Sequence, residues 1–160
     1  QDFPKHRGKG YGEMGIIAHA LAHSRLLKEA THVFKITGRY FVANAASLVR
    51  CVDEADPVPD IVCDLRENLT IADSRWFAGT LAFFREHLVP QREMIDDTVD
   101  IFFEHALARA VHSAMATGMG WRLPAASARL VGITATTNLP IAIGPGKRIR
   151  HRMKNWLFRY

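Results

Sequence analysis

An α/β domain is the fold class that this sequence predicts, and three observations lead to it. Short apolar runs of strand length, such as residues 33–36, alternate with stretches whose apolar residues recur at helical spacing. Turn punctuation separates them, at Gly38, at Asp56-Pro57-Val58-Pro59, and at Gly118 and Gly120. The 160 residues are 48% hydrophobic and 23% charged, which supplies one real core and gives no sign of disorder or repeats. Mixed strands and helices in one chain of this length imply an α/β domain.

The elements follow in order. Residues 1–10 form a basic, glycine-containing loop. Residues 12–28 read as a helix, with Met14, Ile17, Ala20 and Leu21 on one face and His19 and His23 on the opposite one. Residues 33–36 are a short buried strand that ends at Thr37-Gly38-Arg39. Residues 45–55 make a short helix, and 56–59 break it. Residues 60–65 and 73–78 are strand candidates. Thr80 caps a helix through Leu88 that stops before Pro90. Asp96 or Asp97 caps the strongest helix, 98–117, whose apolar face is Phe103, Leu107, Ala110, Val111 and Ala114. Gly118 and Gly120 end it. Residues 130–133 are a further strand. Gly144-Pro145-Gly146 is a hinge between a single domain over residues 1–143 and a basic amphipathic tail over 144–160. A first nucleotide-binding βαβ unit is not visible; a fold that needs one has it upstream of Gln1.

Charge narrows the partners. The formal net charge is +5 and the isoelectric point about 9.6. The excess gathers at residues 5–9 and 147–159, which suits nucleic acid, a nucleotide diphosphate or an acidic membrane face. No nucleic-acid module pattern is present and the cations are not interleaved with aromatics along one face, so no nucleic acid is expected. Cys51 and Cys63 lack zinc spacing and make no disulfide framework, as in a reduced cytoplasmic protein. No signal-peptide h-region follows Gln1, and the longest helical apolar stretch, 14–22, contains His19 and is too short to span a bilayer. The expected location is cytoplasmic, with residues 147–160 suited to peripheral contact with the inner membrane face.

Three constellations carry chemistry. In Arg7-Gly8-Lys9-Gly10-Tyr11-Gly12-Glu13, glycines let backbone N–H groups approach an anion, the following helix adds positive potential, and Lys9 adds full charge. The spacing is neither a P-loop nor a dinucleotide fingerprint, and a flexible basic loop explains it equally well. In Phe34-Lys35-Ile36-Thr37-Gly38-Arg39-Tyr40, a buried strand delivers Lys35 and Arg39 to a sheet edge around a glycine turn; Arg39 is suited to bidentate phosphate binding. The third is the helix face Glu104, His105, Arg109 and His112, where a carboxylate beside a histidine and an arginine has the makings of a general base. A solvated helix face is the plainer explanation. His19 and His23 lack the intervening glutamate of a zinc-protease helix, so no metal site is assigned. Trp76, Phe77, Phe83 and Phe84 read first as core.

The order of these pieces resembles the GT-A class of glycosyltransferases, especially bacterial enzymes that build cell-surface polysaccharide or lipopolysaccharide. The resemblance rests on residues 8–13 and the helix after them, on Thr31-His32-Val33-Phe34-Lys35-Ile36, on Asp73-Ser74-Arg75-Trp76-Phe77-Ala78-Gly79, on Phe103-Glu104-His105 with Arg109, and on Gly120-Trp121-Arg122-Leu123-Pro124. It implies a GT-A-like mixed sheet flanked by helices, without its first βαβ unit, acting on a nucleotide-sugar donor and a glycan acceptor. Donor contacts would come from Lys9, Gly10, Gly12, Glu13, Lys35, Gly38 and Arg39. Arg75 and Trp76 would stand on the acceptor side. Glu104 would be the general base, with His105 orienting it and Asp96 and Asp97 as rival acids. The class usually holds Mn or Mg with an Asp-x-Asp motif; here Thr37-Gly38-Arg39 stands in that place, and Lys35 and Arg39 are the substitute for the metal's charge. The alternative is a non-enzymatic basic domain that binds RNA or an acidic surface.

Overall fold

The computed structural model describes residues 4–38, 41–126 and 128–131. In chain order the elements are α1 (Lys9–His23), β1 (His32–Ile36), β2 (Phe41–Val42), α2 (Ala45–Asp53), β3 (Ile61–Val62), β4 (Leu65–Arg66), β5 (Ile71–Ala72), β6 (Trp76–Thr80), a helical run over 81–94, α3 (Phe103–Ala116), β7 (Trp121–Arg122) and β8 (Leu130–Val131). The main sheet has the order β1-β6-β3-β7. β6 is antiparallel to both β1 and β3, and β3 is parallel to β7, so the sheet is mixed. Two small antiparallel pairs, β2–β8 and β4–β5, complete the strands. The α/β class is therefore borne out.

Period-two alternation in β6 divides the interior. Phe77 points into a core built with Met14 and Leu21 of α1, Phe83, Phe84 and Leu88 of the helical run, and Leu107 and Val111 of α3. Trp76 and Ala78 point to the other face, against Val62, Leu48 and Val52 of α2, and Leu130 of β8. Full burial of a side chain such as Phe77, Phe83 or Phe84 is worth about 1.5–3 kcal/mol relative to exposure. Helices thus cover both faces of the sheet. The four aromatics that read as core are core.

The elements depart from sequence expectation in several places. α1 begins at Lys9 rather than Gly12, because Gly8, at φ 92°, turns the chain and serves as its N-cap. The strand expected over 60–65 is split into β3 and β4, and the one over 73–78 is shifted to β6. The helix after Thr80 does not stop before Pro90. Thr80 Oγ1 accepts from the Phe83 N–H at 3.2 Å, the turns over Phe83–Leu88 are wide π turns, and the chain re-enters a 3₁₀ helix with Pro90 in its first turn, where a missing N–H does no harm. The helix expected over 98–117 starts only at Phe103. Asp96 does cap, accepting from the Thr98 N–H at 2.9 Å and from Thr98 Oγ1 at 2.6 Å, but it caps a single 3₁₀ turn. Asp100, left-handed at φ 59°, then ends that turn. The far end is as read: the Gly118 N–H bonds Met115 O and the Met119 N–H bonds Ala114 O, the paired bonds of a Schellman stop. The rest of the 130–133 strand, the hinge at 144–146 and the tail lie outside the described residues.

Candidate functional site

One cleft, of about 250 Å³, opens where four segments distant in sequence meet. Lys9, Gly10 and Glu13 come from the first turns of α1, Thr37 follows β1, Ser74 and Arg75 precede β6, and Asp97, Phe102, Phe103 and Glu104 lead into α3. Its wall carries two cations, Lys9 and Arg75, and three acids, Glu13, Asp97 and Glu104.

α1 is fixed there by an aromatic clamp. The guanidinium groups of Arg7 and Arg92 lie 4.5 and 4.3 Å from the centroid of the Tyr11 ring. Arg7 also pairs with Glu93 at 2.9 Å, and Tyr11 donates its O–H to the same carboxylate at 3.1 Å. Gly10 then lets α1 sit hard against the start of α3: a Cβ there would meet Ile95 Cγ2 and Phe103 N at 3.1 Å and Phe103 Cβ at 3.2 Å. Gly10 and Gly12 thus lie inside a helix, Gly10 as a packing residue, which corrects their expected place in an anion-cradling loop. The anion at the N-terminus of α1 is the protein's own Asp97, whose Oδ2 accepts the Lys9 N–H at 2.9 Å.

Lys35 is the second correction. β1 turns it inward, onto the face shared with Val33, and its side chain is 9% exposed. Its ammonium group contacts Glu13 Oε1 at 2.5 Å and Ser74 O at 2.6 Å, and it lies 5.1 Å from the Phe103 ring centroid. Held by these partners, Lys35 organises the cleft from behind and is not among the residues that line it. Ser74, itself buried, donates Oγ–H to Glu104 Oε1 at 2.5 Å. Glu13 and Glu104 are therefore joined through Lys35 and Ser74.

Beside them stands a ladder of alternating charge. Arg66 Nη2 lies 2.7 Å from Asp64 Oδ2 and 2.7 Å from Asp73 Oδ2. Arg75 donates Nε–H to Asp73 Oδ1 at 2.8 Å and Nη2–H to Asp73 Oδ2 at 2.6 Å. Burial pushes the Asp73 carboxyl up, but the hydrogen bond and charge of Arg75, with the charge of Arg66, more than reverse that and hold it below its ordinary value of 3.8.

The other expected site residues fall elsewhere. His105 Nδ1 accepts the Phe102 N–H at 3.1 Å, and its ring stacks on Phe102; it closes the start of α3 instead of lining the cleft. His112 reaches away to Leu69 O at 2.8 Å, so the polar face of α3 does not converge as a group. Trp76 is buried on the opposite face of the sheet from the cleft. Gly38 is exposed, with nothing within 4 Å of a Cβ and no left-handed φ, so its turn does not need a glycine. Arg39 lies outside the described residues. Sequence reasoning missed Ser74 and the Asp64–Arg66–Asp73 ladder; the charged pattern Asp73-Ser74-Arg75 around one serine was the available signal.

A divalent metal does not fit this donor set. Among the described residues no three His, Cys, Asp or Glu side chains gather to hold one. The cleft acids are instead tied to Lys35, to the Lys9 N–H and to Ser74. No helix among the described residues is long and apolar enough to cross a membrane. Compared with protein-family models, curated proteins and solved structures, the chain matches none.

Proposed function

We propose that the cleft is the reaction site of a GT-A-like glycosyltransferase that moves a sugar from a nucleotide diphosphate to a glycan hydroxyl in cell-surface polysaccharide synthesis. The observation that carries this reading is the convergence of Lys9, Arg75 and Glu104 on one cleft, with Glu104 held by a buried serine. At about 250 Å³ the cleft is just below the roughly 300–1,000 Å³ usual for drug-sized ligands, a size suited to the diphosphate and the reacting sugar. Lys9 and Arg75 stabilise the charge that builds on the leaving diphosphate as its bond to the anomeric carbon breaks. Glu104 accepts the proton of the acceptor hydroxyl as the new C–O bond forms, which inverts the anomeric centre. Of the residues expected from sequence, Lys9 keeps a direct donor role, Lys35 acts through Glu13 and Ser74, and Arg75 moves from the acceptor side to the donor side.

The reading is tested by titrating UDP-, GDP- and ADP-sugars against the protein and following transfer by product mass. Glu104→Gln should keep donor affinity within about threefold while turnover falls about 10²- to 10⁴-fold. Unchanged turnover removes Glu104 from the reaction. If no nucleotide sugar binds while RNA does, with strong salt dependence, the non-enzymatic binding domain replaces the transferase.

A further inference from the structure

Asp73 has every acceptor position engaged. It receives four hydrogen bonds: Arg75 N at 3.0 Å and Arg75 Nε at 2.8 Å on Oδ1, and Arg75 Nη2 at 2.6 Å and Arg66 Nη2 at 2.7 Å on Oδ2. A carboxylate saturated in this way has no lone pair left for a substrate or a metal. It instead grips one edge of a planar guanidinium in the fork geometry that fixes both position and orientation. The grip is itself anchored. Arg66 donates Nε–H to Asp64 Oδ2 at 2.8 Å, and Asp64 is buried. The backbone joins the same residues, with the Asp73 N–H on Asp64 O at 2.9 Å. The loop between β4 and β5, where Glu67, Asn68 and Leu69 all have positive φ, is held to α3 by His112 on Leu69 O. α3 therefore fixes both ends of the arrangement, Glu104 in the cleft and the hairpin that carries Arg66.

We propose that Asp73 is a positioning residue, held by the Asp64–Arg66 pair, that locks the guanidinium of Arg75 in the cleft so that it is pre-set for a diphosphate. The proposal rests on the transferase reading for the identity of the anion; the locking of Arg75 stands apart from it. Preorganisation of this kind removes the ordering cost that a long, exposed arginine would otherwise meet on binding.

The test uses the full chain and two readouts. The first is the Arg75 Nε–H resonance by NMR, without ligand; the second is affinity for inorganic pyrophosphate and for UDP by calorimetry. In the wild type the Arg75 Nε–H should be sharp and slow to exchange. Asp73→Asn should broaden it or speed its exchange, and weaken pyrophosphate affinity about tenfold, with Arg75 still present. Arg66→Met, which leaves Asp73 in place, should do the same to a smaller degree and serves if Asp73→Asn fails to fold. An unchanged Arg75 signal in a folded variant overturns the proposal, as does an altered signal with pyrophosphate affinity unchanged. If the signal responds as expected but the wild type binds neither pyrophosphate nor UDP, the locking is upheld and the diphosphate assignment of the transferase reading falls.

Discussion

At the scale of single residues, Asp73 ties a local ion pair to a measurable pH dependence. Its folded-state pKa lies below the ordinary 3.8, because Arg75 and Arg66 outweigh the effect of burial. A depressed carboxylate contributes stability that is present above its unfolded pKa and lost as pH falls through the folded one. Asp73→Asn should therefore lower the melting temperature by several degrees at pH 7, and the gap from wild type should close as pH drops through and below about 4. Thermal melts from pH 7 to pH 2.5 measure this, and a gap that persists at low pH would mean that the ladder stabilises the fold by something other than the charge of Asp73. Lys35 shows how far a residue can be read from sequence. Alternation in β1 does put it on the same inward face as Val33. A lysine on a core face is stable only with a counter-charge, and that partner, Glu13, comes from another element that no local spacing reveals. Glu104 was legible as an acid on a helix face; the serine that holds it was not, because the bond crosses between segments.

At the scale of elements, the glycines near the start of α1 separate packing from recognition. In sequence, Gly8, Gly10 and Gly12 look alike, and a phosphate loop and a closely packed helix start share the same letters. The structure divides the roles of Gly8 and Gly10 through contacts with residues at positions 95–103, which sequence spacing cannot supply. Gly10→Ala tests this directly. Alanine favours a helix by about 1 kcal/mol over glycine, yet the new methyl would press at 3.1 Å on the backbone nitrogen of Phe103, which cannot move without moving α3. Overpacking of this kind costs about 1–3 kcal/mol, so the net change should be destabilising by up to about 2 kcal/mol and should loosen the Lys9 side of the cleft. Gly38→Ala is the matched control: open space and an unstrained φ predict a change within about 0.5 kcal/mol. Denaturant midpoints compare the two. If Gly10→Ala is as mild as Gly38→Ala, α1 is not seated on α3 as described. Elements with strong periodicity, such as α2 and the body of α3, were legible from their apolar faces. The helical run over 81–94 was not, because the π turns over 83–88 and the 3₁₀ turns that hold Pro90 violate the 3.6-residue period on which such reading depends.

At the scale of the whole molecule, the basic character belongs almost entirely to one end. Fifteen of the 21 Lys and Arg residues precede Lys147, against all 16 Asp and Glu, so residues 1–146 carry a formal charge of −1. The remaining six, Lys147, Arg148, Arg150, Arg152, Lys154 and Arg159, supply more than the whole net charge of +5. The isoelectric point thus says little about the cleft, whose wall is charge-balanced when Lys35 is counted. Attraction to a polyanion and recognition of a nucleotide sugar are then separable properties, and they make separable predictions. We propose that the six cations bring the protein to an anionic membrane face, where each contributes about 1 kcal/mol. Replacing all six with Gln should abolish sedimentation with vesicles of phosphatidylglycerol and remove the salt dependence of that binding. Nucleotide-sugar affinity and turnover on a soluble acceptor should stay within about twofold of the parent. A loss of nucleotide-sugar binding in the same variant would mean that the end of the chain belongs to the donor site. Retention of vesicle binding would move the membrane-facing surface to residues 5–9. A parent chain that ignores vesicles but binds RNA through the same six residues would turn the whole molecule toward the non-enzymatic alternative.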